Sequence, residues 1–435
     1  MKVLVRLAPR AMFRSRLFLP LLILSPMSGG ATERWVGPGG DDAGPGTQAK
    51  PWRTLARAAV ALQPGDTARV LTGTYAERLV PTRSGTATAP ITFAAAPGAT
   101  PTIDGATLPI TEQHGLVHLE RVAWVLVEGF TVRNAGPGET ATGILATHCD
   151  HVTIRRNRTA HTVSSGIGAW WCRGVLIDGN DVEDACHGGS QECISVAGCD
   201  GFEVRNNVVH DCIKGEKGGE GIDAKHGANG TVHHNLVHHI GRLGIYVDAW
   251  DTHTHDIEVY ANLVHHSLSN GYAVAAEDGG MLEHIRVYDN VAYLNGHFGL
   301  TVASWGEPVP HHPIRDVVVE HNTFVGNGTT GWGGGILLDN AEAERIVVRD
   351  NILAGNRTCQ LAAEHPAKSF VLDHNLIDAV RGGDGELTGE HPVQVVPRFR
   401  DTALGGVELE PGSPGMGLGA RGPIGPEPLP LPIRP

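Results

Sequence analysis

A short motif that ends in asparagine recurs along most of this chain of 435 residues. In each copy, β-branched or aliphatic residues alternate with polar ones before the Asn, as in VTIRRN and IRVYDN. Successive copies lie 23 to 32 residues apart. A period of this length is typical of a solenoid, and the alternation predicts a strand with one buried face. The motif asparagines are Asn157, Asn180, Asn207, Asn235, Asn262, Asn290, Asn322, Asn351 and Asn375.

A second strand is predicted about ten residues after most of these asparagines, usually opened by glycine. Examples are GIDAK at 221–225 and GIYVD at 244–248. The second and fourth residues of each copy are mostly aliphatic, so we expect them in the interior and the third and fifth residues in solvent. Together with 58 glycines, which suit many tight turns, the pattern predicts an all-β fold. We predict a right-handed, single-stranded parallel β-helix in which the motif asparagines stack as a ladder.

Four regions are predicted along the chain. Residues 1–31 have a basic start and a short apolar run, which indicates a cleaved secretory signal. Residues 32–110 form an N-terminal cap and the first coils, with an amphipathic helix over 52–63 that covers the open end of the solenoid. Residues 111–380 hold the repeats, and residues 381–435 form a C-terminal wrap with a Gly/Pro-rich tail.

The net charge of −13 and the signal restrict the partners. An acidic surface argues against nucleic acid. No segment after the signal is long and apolar enough to span a membrane. We therefore expect a secreted monomer, periplasmic or extracellular.

Some of the seven cysteines and 24 histidines fall into columns if the coils stack. Cys186–Cys212 and Cys172–Cys199 are candidate disulfides, and a column of buried thiols is an equally good interpretation. His210, His238 and His265 each follow a motif Asn by three residues. A stacked ladder of these rings is the favoured interpretation, and a metal site the alternative.

An acidic cluster with one lysine is the only concentration of chemically active residue types. Asp223 and Lys225 are predicted on one strand, and Tyr246 and Asp248 in the same two columns one coil later. Glu220 and Glu192 each stand just before their strands, and Asp251 follows on a loop. Such charges on a strand face can also form a simple solvated ion pair. A lysine can lose its proton when a nearby cation lowers its pKa, which makes Lys225 a candidate general base.

Two stretches resemble known families. Residues 37–105 resemble the opening of exported β-helix polysaccharide lyases, including the alginate lyase and chondroitinase B family. In that family a calcium-binding Glu precedes the catalytic Lys by five positions, as Glu220 precedes Lys225 in EGIDAK. Calcium-dependent β-helix pectate lyases have a similar stretch. The family's catalytic Arg on the next coil is replaced here by Tyr246 and Asp248, with Arg242 in the preceding turn.

The resemblance and the cluster together give a hypothesis: a calcium-dependent lyase that cleaves a uronate-containing, acidic polysaccharide by β-elimination. A glycoside hydrolase that uses a carboxylate pair and a non-catalytic carbohydrate-binding solenoid are the alternatives. The predicted catalytic residues are Lys225, Asp248, Tyr246 and Arg242; the substrate-binding residues are Trp250, His253 and Lys217; and the calcium ligands are Glu192, Glu220 and Asp223.

Overall fold

The computed structural model describes residues 31–213, 218–306, 311–400 and 407–426. Almost all regular structure in these residues is short strand, and the strands form three parallel sheets. From Gly115–Glu120 onward, each coil contributes one strand to each sheet in turn, so a strand pairs with its counterparts about one repeat earlier and one repeat later. The all-β parallel β-helix predicted from the repeat is confirmed.

Sheet 1 contains the strands that end in the Asn motif, and 13 strands of the described residues belong to it. They are Glu33–Val36, Thr67–Val70, Ile91–Ala95, Val125–Glu128, Thr153–Arg155, Arg173–Asp178, Asp200–Arg205, Ala228–His233, Thr254–Tyr260, Leu282–Tyr288, Ile314–Glu320, Glu344–Arg349 and Phe370–Asp373.

Sheet 2 follows directly after each motif Asn and has 12 short strands in the described part of the chain. They are Gly73–Tyr75, Pro101–Asp104, Thr131–Arg133, Arg158–Ala160, Asp181–Glu183, Val208–His210, Leu236–His238, Leu263–His265, Val291–Tyr293, Thr323–Val325, Ile352–Ala354 and Leu376–Ile377.

Sheet 3 contains the strands that follow the glycines, ten among the residues that the structure describes. They are Gly115–Glu120, Thr142–Thr147, Ile167–Trp170, Ile194–Ala197, Ile222–Lys225, Ile245–Asp248, Tyr272–Ala275, Leu300–Ala303, Gly334–Asp339 and Cys359–His365.

A short helix packs at the N-terminal end of the coils. It spans Leu55–Ala61, within the predicted range 52–63, and Thr54 caps it by accepting a hydrogen bond from the backbone N–H of Arg57. Its inward residues Leu55, Ala58 and Ala59 join the core cluster. The helix therefore covers apolar side chains of the first coil, as a terminal cap must. No helix of the described residues is long and apolar enough to cross a membrane.

The motif asparagines form the predicted ladder at the corner between sheets 1 and 2. Asn235 is fully buried, and its side-chain amide donates to the Val204 carbonyl at 2.9 Å and to Oδ1 of Asn262 at 2.9 Å. Its own Oδ1 accepts from the backbone N–H of Asn207 at 3.0 Å. The same pattern links the motif asparagines from Asn157 to Asn375. Each amide thus satisfies turn backbone that the sheets leave unpaired.

A second ladder, which the sequence analysis did not predict, follows sheet 2 in later coils. Asn295 donates to Asn327 at 3.0 Å, and Asn327 donates to Asn356 at 3.1 Å. The predicted ring columns are confirmed as well. His210, His238 and His265 stack with centroids 5.2 and 5.0 Å apart, and the His239 and His266 rings are 5.2 Å apart.

The interior is filled by side chains that fit from one coil to the next. Phe202 is in register with Gly230 of the following coil. A Cβ atom at Gly230 would lie 2.0 Å from Cζ of Phe202, so the ring occupies the space that a side chain at 230 would need. The close approach therefore requires glycine at this position.

The seven cysteines are buried free thiols, so the disulfides Cys186–Cys212 and Cys172–Cys199 are not present in the structure. Six of the cysteines belong to the main core of the solenoid, and Cys359 packs in a separate cluster with Phe298 and Leu337. Cys193 lies between Cys186 and Cys212 and interacts with both thiols, a contact that column counting from the sequence missed. The column of small buried thiols is the arrangement observed.

Replacing Asn235 by Ala removes the three hydrogen bonds described above and leaves buried backbone groups without partners. We expect the free energy of unfolding to fall by about 1–3 kcal/mol in chemical denaturation. Asn229→Gly is the matched control, because Asn229 is exposed, has a positive φ of 54° that glycine tolerates, and makes one surface hydrogen bond. Equal losses for both variants would contradict a stabilising role for the ladder.

Candidate active site on sheet 3

Two neighbouring strands of sheet 3 bring the predicted acidic residues and the lysine together. Ile222–Lys225 pairs in parallel with Ile245–Asp248, which places Asp223 beside Tyr246 and Lys225 beside Asp248. This register is the one predicted from the alternation of the two segments. We call Glu192, Glu220, Asp223, Lys225 and Asp248 the carboxylate–lysine cluster.

The cluster is buried, which corrects the expectation that these outward positions face solvent. Asp223 is 1% exposed, Asp248 2% and Lys225 8%. Loops that follow the strands cover the outer face of the sheet here, and the Trp250 ring lies over the Lys225 ammonium, 5.5 Å from Nζ to the ring centroid. The site is therefore an interior cluster of charges, where a solvated strand face was expected.

Lys225 is held by two carboxylates. Its Nζ donates to Oε1 of Glu192 at 2.5 Å and lies 3.3 Å from Oδ2 of Asp223. Burial alone would lower the pKa of Lys225, but the charges of Asp223 and Glu192 outweigh burial and raise that pKa above its usual value. In this arrangement Lys225 is an ammonium ion and cannot accept a proton.

The carboxyl groups of Glu220 and Asp248 are shifted toward their protonated forms. Burial and the neighbouring Glu192 raise the pKa of Glu220 to about 7. The opposing effect of Arg242, whose Nε lies 2.9 Å from Oε1 of Glu220, is smaller. Burial and Glu277 raise the pKa of Asp248 to about 7. Several buried acids with perturbed pKa values in one place are typical of functional sites.

Two buried carboxylate oxygens of the cluster have no hydrogen-bond partner in the described part of the protein. They are Oε2 of Glu192 and Oδ1 of Asp223. An unpaired buried carboxylate oxygen is costly unless a proton or a cation satisfies it. Glu192, Asp223 and Glu220 offer oxygen donors of the kind that calcium prefers, but they are not among the groups of described residues whose ligand atoms all lie within 4.8 Å of one another.

A cleft of about 590 Å³ opens beside the cluster. We call it the tryptophan cleft; its walls include Arg242, Trp250, Glu277, Asp278 and Trp305. The Trp250 indole is 43% exposed, and its Nε1 donates to Asp278 at 3.0 Å, which fixes the orientation of the ring. Exposed indoles flanked by carboxylates and an Arg suit the ring faces and hydroxyls of a sugar.

Tyr246 connects the cluster to the cleft. It is 4% exposed and packs with Leu243, Ala273, Ala275 and Ala303 below the Trp305 ring. Its hydroxyl donates to Oε1 of Glu277 at 2.6 Å. The backbone N–H groups of Trp250 and Glu277 donate to Oδ1 of Asp248, at 2.8 and 3.4 Å.

One of the predicted substrate-binding residues, His253, is not brought to this site. His253 lies past the covering loop and contacts Glu283 at 2.9 Å, toward sheet 1. Lys217 lies outside the described residues. Conversely, Glu277 and Asp278 were missed, because they follow the strand Tyr272–Ala275, whose own outward residues are alanines. The acidic pair directly after that strand, AED at 276–278, was the signal that could have identified them.

Comparisons with known proteins agree with the architecture. A model of the Pel9A-like right-handed β-helix region matches residues 34–171, and a model of the right-handed β-helix region matches residues 109–264. A protein of Bacillus subtilis (strain 168) described as "Uncharacterized protein YwoF" is 26% identical over 438 residues, 87% of this chain and 91% of the relative.

Two solved structures share the fold. The A-module of the Azotobacter vinelandii mannuronan C-5 epimerase AlgE4 superposes with a TM-score of 0.54, at 13% identity, over 72% of this chain and 86% of that module. A structure named glycoside hydrolase superposes with a TM-score of 0.53, at 11% identity, over 87% of this chain and 99% of that chain. The chain therefore contains a right-handed β-helix region, and the part matched by the second model includes the carboxylate–lysine cluster.

The raised pKa of Asp248 gives a test by pH. A carboxyl whose pKa is about 7 when folded and near 3.8 when unfolded contributes stability at acidic pH that is lost as the pH rises through this range. Each pKa unit of difference is worth about 1.4 kcal/mol. We expect Asp248→Asn to flatten the fall in unfolding free energy between pH 4.5 and 8 in urea titrations.

Asp256→Asn is the control for that experiment, because Asp256 is exposed and its pKa is lowered by a hydrogen bond from His255. Its removal should not flatten the decline. If Asp248→Asn has the same pH dependence as the wild type, Asp248 is ionised across the range and the cluster is less strongly coupled than described.

Proposed function

We propose that the protein acts on a uronate-containing polysaccharide as a β-elimination lyase, with Lys225 as the general base. The observation that carries this proposal is the buried Lys225 ammonium between two carboxylates, directly beside the tryptophan cleft, each of which keeps one oxygen without a partner among the described residues. The right-handed β-helix is a fold in which such chemistry is known from the resembling families.

The cleft supports the binding of an acidic sugar chain. Trp250 and Trp305 offer ring faces for stacking, and the Arg242 side chain, which is 44% exposed, adds a positive charge at the rim. A chain with a net charge of −13 needs such local compensation to bind a polyanion. The predicted secretion of the protein fits a polymeric substrate outside the cell.

Lys225 must become neutral before it can remove the proton next to a uronate carboxylate. Glu192 and Asp223 hold it as an ammonium ion, so a cation that competes for these carboxylates would lower the pKa of Lys225. Calcium held by Glu192, Asp223 and Glu220 would supply that charge and would also neutralise the substrate carboxylate. Tyr246, whose hydroxyl is bonded to Glu277, is the candidate donor of a proton to the leaving oxygen.

A hydrolase is the second candidate, favoured by one observation. Asp248, with its pKa raised to about 7, contacts the backbone of Glu277 on the cleft wall. A carboxyl that is partly protonated near neutral pH, next to a second carboxylate, is the arrangement of a glycosidase acid and base. The products distinguish the two reactions, since elimination leaves an unsaturated uronate that absorbs in the ultraviolet.

The decisive assay screens alginate, pectate and glycosaminoglycans with and without calcium, and records both ultraviolet absorbance and new reducing ends. We expect calcium-dependent absorbance with the wild type and a loss of at least about 100-fold with Lys225→Ala. Lys368→Ala is the matched control, since Lys368 is an exposed lysine paired with Glu344. Reducing ends without absorbance would indicate hydrolysis and refute the lyase.

Competition between calcium and Lys225 can be measured without any substrate. If both share Glu192 and Asp223, Lys225→Met removes the competing ammonium and should tighten calcium binding by about tenfold in calorimetry. Glu192→Gln should weaken calcium binding, and Lys368→Met should leave it unchanged. Calcium binding that does not respond to Lys225→Met or Glu192→Gln would place the ion elsewhere.

A further inference from the structure

A group of metal-ligating side chains lies at the far end of the solenoid from the helix cap. Asp373, His374 and His391 each offer one ligand atom, and these atoms lie within 4.8 Å of one another. Oδ1 of Asp373 is 2.8 Å from Nδ1 of His374 and 3.0 Å from Nδ1 of His391. The two imidazole rings stack with their centroids 5.1 Å apart.

The group joins the last coil to the segment that follows it. Asp373 ends the final strand of sheet 1, Phe370–Asp373, and His374 is the next residue. His391 belongs to the later segment, which is bound by backbone hydrogen bonds from Glu390 to Leu372 at 2.7 Å and from His374 to Glu390 at 3.1 Å. This segment covers the end of the core, where Leu376 forms a bridge with Val393.

The distances suit a divalent transition ion. Two ligands of zinc, each with a bond of about 2.0–2.1 Å, lie about 3 Å apart at a right angle and about 3.4 Å apart at the tetrahedral angle. The observed separations of 2.8 and 3.0 Å differ from these by a few tenths of an ångström. Two imidazoles and a carboxylate are donors that zinc and its neighbours in the first transition row prefer.

A comparison with the other such group in the described residues supports this choice. Glu283, His284 and Asp316 also converge, but Arg315 contacts Glu283 at 3.2 Å and Arg345 contacts Asp316 at 2.6 Å. Those carboxylates already have positive partners. Among the described residues, the Asp373 carboxylate pairs with the two histidines and with no Arg or Lys.

We propose that Asp373, His374 and His391 form a binding site for a divalent transition ion of the zinc type, which fastens the C-terminal segment onto the last coil. The three residues supply three ligands, and water completes the coordination because the site is at the surface. The ion would replace the hydrogen bonds that Asp373 now accepts from the two rings. This site does not depend on the proposed lyase function and lies on the last coil, away from the carboxylate–lysine cluster.

The test measures zinc binding by calorimetry and zinc-dependent thermal unfolding on the full chain after removal of metal. We expect His391→Ala to lower zinc affinity at least about tenfold and to reduce the rise in melting temperature. His365→Ala is the matched control, because His365 is also exposed and bonded to a carboxylate through Nδ1, that of Asp339 at 2.6 Å. It should bind zinc as the wild type does.

Other histidines of the chain can bind zinc weakly, so a second variant locates the ion. His391→Cys keeps a ligand at the position, and its cobalt complex should show a thiolate charge-transfer band in the near ultraviolet that the wild type lacks. This variant also separates metal binding from a purely structural role of His391. Equal zinc affinity in the wild type and His391→Ala, or a cobalt complex of His391→Cys without the band, would overturn the proposal.

Discussion

Hydrogen bonding from coil to coil is the interaction on which the rest of the structure depends. Parallel strands fix the register of each coil against the next, and the corner between sheets 1 and 2 is held by the side-chain amides of buried asparagines. Asn235 is an example: its side-chain amide donates to a backbone carbonyl and to the next asparagine, and it accepts a hydrogen bond from a backbone N–H. Because the register holds over many coils, residues far apart in sequence lie in columns about 4.8 Å apart.

The candidate site is a direct product of that register. Lys225 and Asp248 are adjacent because their strands pair residue for residue, and Glu192 reaches Lys225 from 33 positions earlier in the sequence. The sheet alone would leave these charges in water, where an ion pair contributes little. The covering loops, with Trp250 and Glu277, exclude water from the cluster and thereby raise the pKa values of Glu220 and Asp248.

The repeat made the fold predictable, because period and alternation are properties of the sequence itself. The pairing of 221–225 with 244–248 and the columns of His210, His238 and His265 follow from the same counting. Counting positions along the repeat does not predict the surroundings of residues that lie on loops outside the repeated motif. The burial of Asp223 and the roles of Glu277 and Asp278 depend on loops of irregular length, whose path no period describes. The prediction of the disulfides failed for a related reason: Cys193 lies directly before the strand Ile194–Ala197 of sheet 3, outside the column in which Cys186 and Cys212 were counted.

The fit of Phe202 over Gly230 has a consequence for how such a protein can change its length. The strands of successive coils pair in the same register, which suggests that coils could be duplicated or lost as interchangeable modules. The packing inside the solenoid restricts such changes, because a coil that carries a large aromatic ring must be followed by a coil with a small residue at the paired position. Neighbouring coils with complementary interior side chains would therefore have to be gained or lost together. The strands repeat from coil to coil, whereas the interior side chains are specific to each neighbouring pair.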